Sequence, residues 1–254
     1  MKITFLGTGT SQGIPVIGCK HEVCLSDDPK DKRLRSSVLI QEKDTNVVID
    51  CGPDFRQQML NVDIDHLDAL LFTHIHADHT AGIDDIRSFT LRQGSMNVYA
   101  KKDVIQNLQE RFAYIFAMED RYEGAPNIDV IEVFKKKFTV KHIEFQPIEV
   151  WHGKLKILGY RTCDFAYLTD VKRIEEEQLE KLRNLEVLVI NALRIDWHPT
   201  HLNLEEALNL IEKIKPKRCY FTHISHMLGL HAEVTKILPQ NVFLAYDGLS
   251  FDLN

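Results

Sequence analysis

The chain has 254 residues, which suits one large α/β domain or two small ones. Hydrophobic residues at 44% and charged residues at 27% are those of an ordinary soluble globular protein, and no apolar run reaches the ~20 residues of a membrane-spanning helix. A formal charge of −6 weighs against a passive polyanion binder and against stable nucleic-acid binding, and five cysteines without an export signal weigh against a disulfide framework.

Met1-Lys-Ile-Thr-Phe-Leu-Gly7 runs directly into a strand pattern with no apolar signal region, so the expected location is the cytoplasm. Short runs rich in Ile, Val, Leu and Phe predict strands at 2–6, 36–41, 46–50, 69–73 and 97–100. Between the first two lies a polar stretch, Cys19–Arg35, that reads as a loop. From Asp103, the apolar residues Val104, Leu108, Phe112, Ile115 and Phe116 recur at helical spacing, an insertion bracketed by Gly94 and 119–127. Strand patterns resume at 145–150, 155–160 and 166–169, followed by a polar helix around 175–183 and a strand at 186–191. Asn203 with Glu206 three residues on predicts a capped helix that buries Leu204, Ala207, Leu208, Ile211 and Ile214 and stops before Pro216. Strands at 218–222, 242–245 and 250–253 complete the chain. Strands at both ends, with helices between and after them, fit two sheets covered by helices in a single domain, 1–254. Cys51, Cys163 and Cys219 lie in or beside apolar runs and read as buried thiols.

The strongest local signal is Thr73-His74-Ile75-His76-Ala77-Asp78-His79, directly after an apolar strand. Imidazole and carboxylate suit zinc and related divalent ions. One ion cannot easily take four side chains from so short a segment, whereas two ions sharing it can.

His-x-His-x-Asp-His after a strand resembles the signature of the metallo-β-lactamase superfamily. Further matches are Gly7-Thr-Gly-Thr-Ser11, Ile49-Asp50-Cys51-Gly52, Trp151-His152-Gly153, Tyr167-Leu-Thr-Asp170 and Thr222-His223-Ile-Ser-His226. The resemblance covers the chain apart from the insertion near 103–127. It implies an α/β fold, the αββα sandwich of two mixed sheets flanked by helices. It also implies a dinuclear site in which His74, His76 and His152 hold one metal, Asp78, His79 and His223 the second, and Asp170 bridges both. Two divalent cations, zinc or manganese, about 4 Å apart would lower the pKa of a bridging water and supply hydroxide near neutral pH. His76 sets the chain apart from flavodiiron oxidoreductases of this fold, which usually carry a carboxylate there.

Within the superfamily, Gly7-Thr-Gly-Thr-Ser-Gln-Gly-Ile-Pro-Val-Ile-Gly-Cys19 is similar to the PhnP-type phosphoribosyl cyclic phosphodiesterases. Those enzymes carry Cys-x-Cys-x-x-Cys in this loop and a histidine three residues after the last catalytic ligand. Here the loop reads Cys19-Lys-His21-Glu-Val-Cys24 and the histidine is His226. His21 replaces the central cysteine, and Cys₂His₂ remains a tetrahedral set for one structural zinc. The resemblance further implies a histidine acid before a helix. His201, two residues before the Asn203 cap, fits better than His198, and Asp78 could help orient it. Such an acid protonates the leaving alkoxide of a phosphodiester.

The expected function is therefore metal-dependent hydrolysis of a small phosphodiester, a cyclic ribose phosphate first. The alternatives are tRNA 3′-end cleavage, for which the Gly/Pro-rich arm and a basic footprint are missing from the sequence, thioester or β-lactam hydrolysis, and non-catalytic metal binding. PhnP-type relatives suggest a homodimer, which no residue pattern here decides. His66, His142 and His231 read as ordinary surface or packing residues, and Arg56 and Arg87 as solvated charges.

Overall fold

The computed structural model describes residues 1–117 and 119–253. Strands β1 (Lys2–Gly7), β2 (Ser37–Glu42), β3 (Thr45–Ile49), β4 (Ala69–Leu71), β5 (Met96–Ala100) and β6 (Ile128–Glu132) build most of the first sheet. Strands β7 (Phe138–Val140), β8 (Ile143–His152), β9 (Leu155–Thr162), β10 (Phe165–Leu168), β11 (Val187–Asn191), β12 (Arg218–Thr222) and β13 (Val242–Leu244) build the second. The last strand, β14 (Ser250–Asp252), returns to the first sheet beside β1.

The two sheets share one plan. Each has seven strands: the first runs β14-β1-β2-β3-β4-β5-β6, the second β7-β8-β9-β10-β11-β12-β13. In each, antiparallel pairing up to the fourth strand gives way to parallel pairing from there on. The sequence betrays no such duplication, because the halves share layout and not side chains. β3 and β10 occupy the equivalent position, where pairing turns parallel, and each is followed directly or one residue later by an aspartate in left-handed backbone: Asp50 at φ 66° and Asp170 at φ 58°.

The residues explain the layers. β3 and β11 are buried at every position, as expected of parallel strands covered on both faces. Ile3, Phe5, Val38, Val47, Phe145, Tyr160 and Val189 meet between the sheets. Leu39, Val48, Leu70 and Phe72 face helices outside the first sheet, and Leu188, Ile190 and Phe221 face helices outside the second. This is the αββα sandwich. The β2–β3 hairpin closes over Lys43 and Asp44, with Lys43 at φ 53°. The helix Leu204–Ile214 carries the expected capping box between Asn203 and Glu206.

Several elements differ from the expectation. Helices Phe55–Leu60, Arg87–Gln93 and His231–Ile237, and strands β6 and β7, were not foreseen. Each is short, and all five lie at the edges or outer faces of the sheets, where a mixed pattern is tolerated. The insertion helix is two pieces, Lys102–Arg111 and Ala113–Phe116, because Phe112 adopts φ −122° and ψ 42°. Cys163 is exposed on the β9–β10 turn, while Cys51 and Cys219 are buried as expected. His231 is of the packing kind, buried against the guanidinium of Arg33, whose Nη2 donates to its Nδ1 at 3.2 Å. None of the described helices is long and apolar enough to cross a membrane.

Candidate metal centre

The chemistry-bearing residues collect at one end of the sandwich, on the carboxyl ends of strands from both sheets. β4 leads into His74, His76, Asp78 and His79; β8 ends on His152; β10 leads to Asp170; β12 leads to His223. Asp50, Asp170 and His223 all have left-handed backbone, an uncommon state for residues other than glycine that concentrates at functional sites. Gly52 makes room for the metal-binding segment: a Cβ there would lie 2.0 Å from the carbonyl oxygen of Asp78.

Their donor atoms converge. Those of His74, His76 and His152 lie within 4.8 Å of one another, as do those of Asp78, His79 and His223. His74, His79 and Asp170 form a third such group, and His152, Asp170 and His201 a fourth, all within the same 4.8 Å. The first two match the two expected ligand sets, and Asp170 joins them.

Outer partners fasten the rings. Asp50 Oδ2 accepts from His79 Nδ1 at 2.7 Å. Thr73 donates to Asp50 from its backbone N at 2.8 Å and from its hydroxyl at 2.9 Å, and that hydroxyl accepts from His74 Nδ1 at 2.9 Å. His152 Nδ1 donates to the Thr200 carbonyl at 2.9 Å. The Thr169 hydroxyl, which donates to Asp170 Oδ2 at 2.6 Å, lies 3.4 Å from His223 Nδ1. With Nδ1 engaged in each of these four rings, Nε2 is the atom left for the centre, the outer-shell arrangement that orients metal-ligating histidines. In the sequence Asp50 stands out only as part of the Ile49-Asp50-Cys51-Gly52 match. Its role as a fastener was readable from one signal, an acid closing an apolar strand.

The residues fit divalent cations. His79 Nε2 is buried without a hydrogen-bond partner, although Asp78 Oδ2 is 3.1 Å and Asp170 Oδ2 3.2 Å away. A buried donor atom aimed between two carboxylates suits a cation. Burial pushes His74, His152 and His223 down, His223 to about 4, so these rings are neutral, the ligating form. Burial would raise Asp170, but the facing His223 and His79 hold it well below the usual carboxylate range. Burial likewise opposes charging of His79, yet Asp78, Asp170 and Asp50 together raise it.

His201 reaches the same centre from the loop before the capped helix. Its Nε2 lies 3.0 Å from Asp170 Oδ1, its Nδ1 3.0 Å from the Thr200 hydroxyl, and its ring stacks on His223 at 5.1 Å. His198 stands behind it, Nδ1 to Nδ1 at 3.1 Å. Burial, then His201 and Arg194, push His198 down to about 4. His198 and Thr200 are thus supports for His201.

Cys19, His21, Cys24 and His226 come together in pairs. Cys19 packs against the small cluster that holds Cys24, each sulfur accepting from a backbone N–H (His21 N to Cys19 at 3.4 Å, Val16 N to Cys24 at 3.5 Å), and the rings of His21 and His226 lie 5.3 Å apart. His226 Nδ1 is buried with no hydrogen-bond partner, while His21 Nδ1 accepts from Val23 N at 3.3 Å. No three of these four are among the groups whose donors lie within 4.8 Å in the described residues. Of the remaining sequence candidates, Arg87 is tied to Asp84, and Arg56 is exposed.

A family model described as a beta-lactamase superfamily domain matches residues 45–224. A solved structure described as a new diphosphatase from the PhnP family superposes with a TM-score of 0.92 at 40% identity, covering 98% of this chain and 96% of that one. Zinc-bound PqqB from Methylobacterium extorquens shares the fold, with a TM-score of 0.83 at 17% identity over 100% of both chains. The octanoyltransferase of Porphyromonas gingivalis is 40% identical over 252 residues, 98% of this chain but 51% of its own length, so the chain spans about half of that relative. The ribonuclease Z of Archaeoglobus fulgidus is 23% identical over 99% of this chain and 97% of its own. The chain belongs to the metallo-β-lactamase superfamily and, within it, to the PhnP family.

Proposed function

We propose that the chain hydrolyses small phosphodiesters, with a cyclic phosphate on ribose as the first substrate class. The observation that carries this reading is the convergence of seven donor side chains, Asp170 among them, at one end of the sandwich, with His201 on the Asp170 carboxylate at 3.0 Å. His74, His76 and His152 would hold one divalent cation, Asp78, His79 and His223 the other, and Asp170 both. When bound, zinc or manganese ions supply an ionised water near neutral pH and neutralise phosphoryl oxygens. Asp50 and Thr73 keep the rings aimed. His201 delivers the proton that a departing ribose alkoxide requires, and Thr200 and His198 hold its ring. Asp78, beside His79, helps orient the centre.

The same groups could attack a diphosphate, the substrate class in the description of the PhnP-family neighbour. An anhydride expels phosphate, which needs little protonation, so a firmly held acid favours the ester. Acyl transfer, suggested by the name of the relative from P. gingivalis, finds no activated thiol at the centre, since burial pushes Cys51 well up. A structural zinc on Cys19, His21, Cys24 and His226 completes the reading, supported by the orphaned Nδ1 of His226. The test is a panel of cyclic and linear phosphodiesters, diphosphates, thioesters and β-lactams, offered to purified protein loaded with zinc or manganese. The expected order places cyclic ribose phosphates first. Turnover confined to diphosphates or to thioesters overturns the proposal.

A further inference from the structure

The helical insertion supplies none of the donor side chains at the cleft, yet it reaches the segment that carries His74, His76, Asp78 and His79. Leu108 and Ile115, one from each of its helices, share an apolar cluster with Phe72 and Ile83, and Ile75, between two of the donors, packs against that cluster. At the end of the helix Lys102–Arg111, Arg111 Nη1 donates to the Thr80 hydroxyl at 2.8 Å and to the Ile75 carbonyl at 3.3 Å. Asn107 Oδ1, one turn back, braces the same nitrogen at 3.3 Å. Thr80 is buried, and its hydroxyl donates in turn to the His76 carbonyl at 2.8 Å. A relay therefore runs from the guanidinium through one hydroxyl to the backbone of His76.

His76 is the histidine of the two sets that most needs such a hold. Nδ1 of His74, His79, His152 and His223 each meets an outer partner: Thr73, Asp50, the Thr200 carbonyl and Thr169. His76 is exposed, and among the described residues its ring has one hydrogen-bonding neighbour, His74, at 3.0 Å, a member of the same set. With no outer group on the ring, the backbone beneath it decides where its nitrogens point. That backbone caps the four-residue helix Ala77–Thr80, at φ −64° and ψ 150°, without a side-chain cap bond. So short a helix has little stability of its own and depends on bonds from outside. A guanidinium is suited to the task, because its donors are charged and fixed in a planar fork.

We infer that Arg111 is a positioning residue for His76, and that through Thr80 it sets how tightly the set of His74, His76 and His152 binds its cation. This rests on the metal-centre reading and adds the insertion to the support of that centre. The set of Asp78, His79 and His223 has its own fasteners in Asp50 and Thr169 and does not draw on Arg111.

Metal affinity tests the inference without recourse to turnover. Mn²⁺ is a hard ion that leaves thiol ligands aside, so it reports on the cleft and not on Cys19 and Cys24. The metal-free full chain is titrated with Mn²⁺, and the free ion is read by electron paramagnetic resonance. The unsubstituted protein should take up two equivalents. Arg111→Ala should weaken one of the two sites by about tenfold or more and leave the other within about twofold. Thr80→Val, which removes the relaying hydroxyl, should do the same, and Arg111→Lys, which keeps a cationic donor, should recover part of the loss. In a His76→Gln background Arg111→Ala should cost no more than about twofold further, because the ring it serves is gone. Unchanged affinity in Arg111→Ala, equal weakening of both sites, or the full loss repeated in the His76→Gln background overturns the inference and leaves the metal-centre reading standing. An unsubstituted chain that takes up no Mn²⁺ overturns the metal-centre reading, and the inference with it.

Discussion

The cleft and the Cys19–Cys24 loop both gather metal-ligating side chains, but by different means. In the cleft the ligands stand on strand ends of two sheets, and the protein aims them: Asp50, Thr73, Thr169 and the Thr200 carbonyl each engage an Nδ1 and leave Nε2 facing inwards. In the loop the apolar support is small, Ile14, Val23 and Cys24 with Val16, Cys19 and Leu230 packed against them. There the ligands meet in pairs, and burial raises the Cys24 thiol, so the thiolate form needs a cation beside it. The difference teaches a division of labour. On the proposed reading, a cation in the cleft would serve chemistry on a site the fold already arranges, whereas a cation in the loop would serve the fold.

The largest expected effect lies in the cleft. Asp170→Asn keeps a residue that tolerates left-handed backbone but removes the charge shared by both ligand sets. Turnover should fall by at least about 10³, with the melting temperature shifted by only a few degrees. Loss of cooperative unfolding instead would make Asp170 part of the scaffold and blur the comparison.

His201→Ala should come next. It should slow diesters with a ribose alkoxide leaving group by about 10² or more, and bis(p-nitrophenyl) phosphate far less, because nitrophenolate departs without a proton. Metal content should stay constant. Because His152, Asp170 and His201 also share a donor cluster, loss of a metal from this variant would move His201 into the ligand set.

Cys24→Ser probes the other region. The melting temperature should drop by at least about 5 °C, at roughly 2–4 °C per kcal/mol for a chain of this size. Turnover at saturating cleft metal should stay within a few-fold of the unsubstituted protein. Equal proportional losses in stability and turnover would erase the distinction between the regions.

The smallest effect concerns the polar network that ties the loop to the C-terminal segment. Burial and the adjacent Arg33 push His231 down to about 4, so it stays neutral in the folded state while the unfolded chain takes up its proton near the ordinary histidine value. Its contribution to stability is present near neutral pH and declines on acidification through that window. Burial raises Asp247 to about 6, so the folded state holds a proton that the unfolded state releases, and acidification favours folding through this group. His231→Gln should therefore flatten the fall in stability between pH 6.5 and 4, and Asp247→Asn should steepen it, each by roughly 1 kcal/mol across the range. Denaturant titrations at several pH values check both signs.

Much of the candidate site was legible because its donor residues obey local rules. The His74–His79 segment declares itself by residue type after an apolar strand, and Asn203 with Glu206 declares the helix that places His201. Asp170, His152 and His223 were reached through resemblance, since each alone is an ordinary strand-end residue. The fastening shell was hidden because it joins residues far apart in sequence, such as Asp50 to His79 and Thr200 to His152. The matching plan of the two sheets was hidden for a related reason: pairing direction is set by topology, and the two halves fill it with different side chains.

The division between the two regions is tested most directly by metal stoichiometry. Elemental analysis of protein purified without chelators should approach three equivalents per chain, falling to two in Cys24→Ser, with Cys19 resisting alkylation only in the unsubstituted protein. Two equivalents in both proteins, with Cys19 and Cys24 freely alkylated, would contradict the structural metal and leave the cleft as the sole metal-binding region.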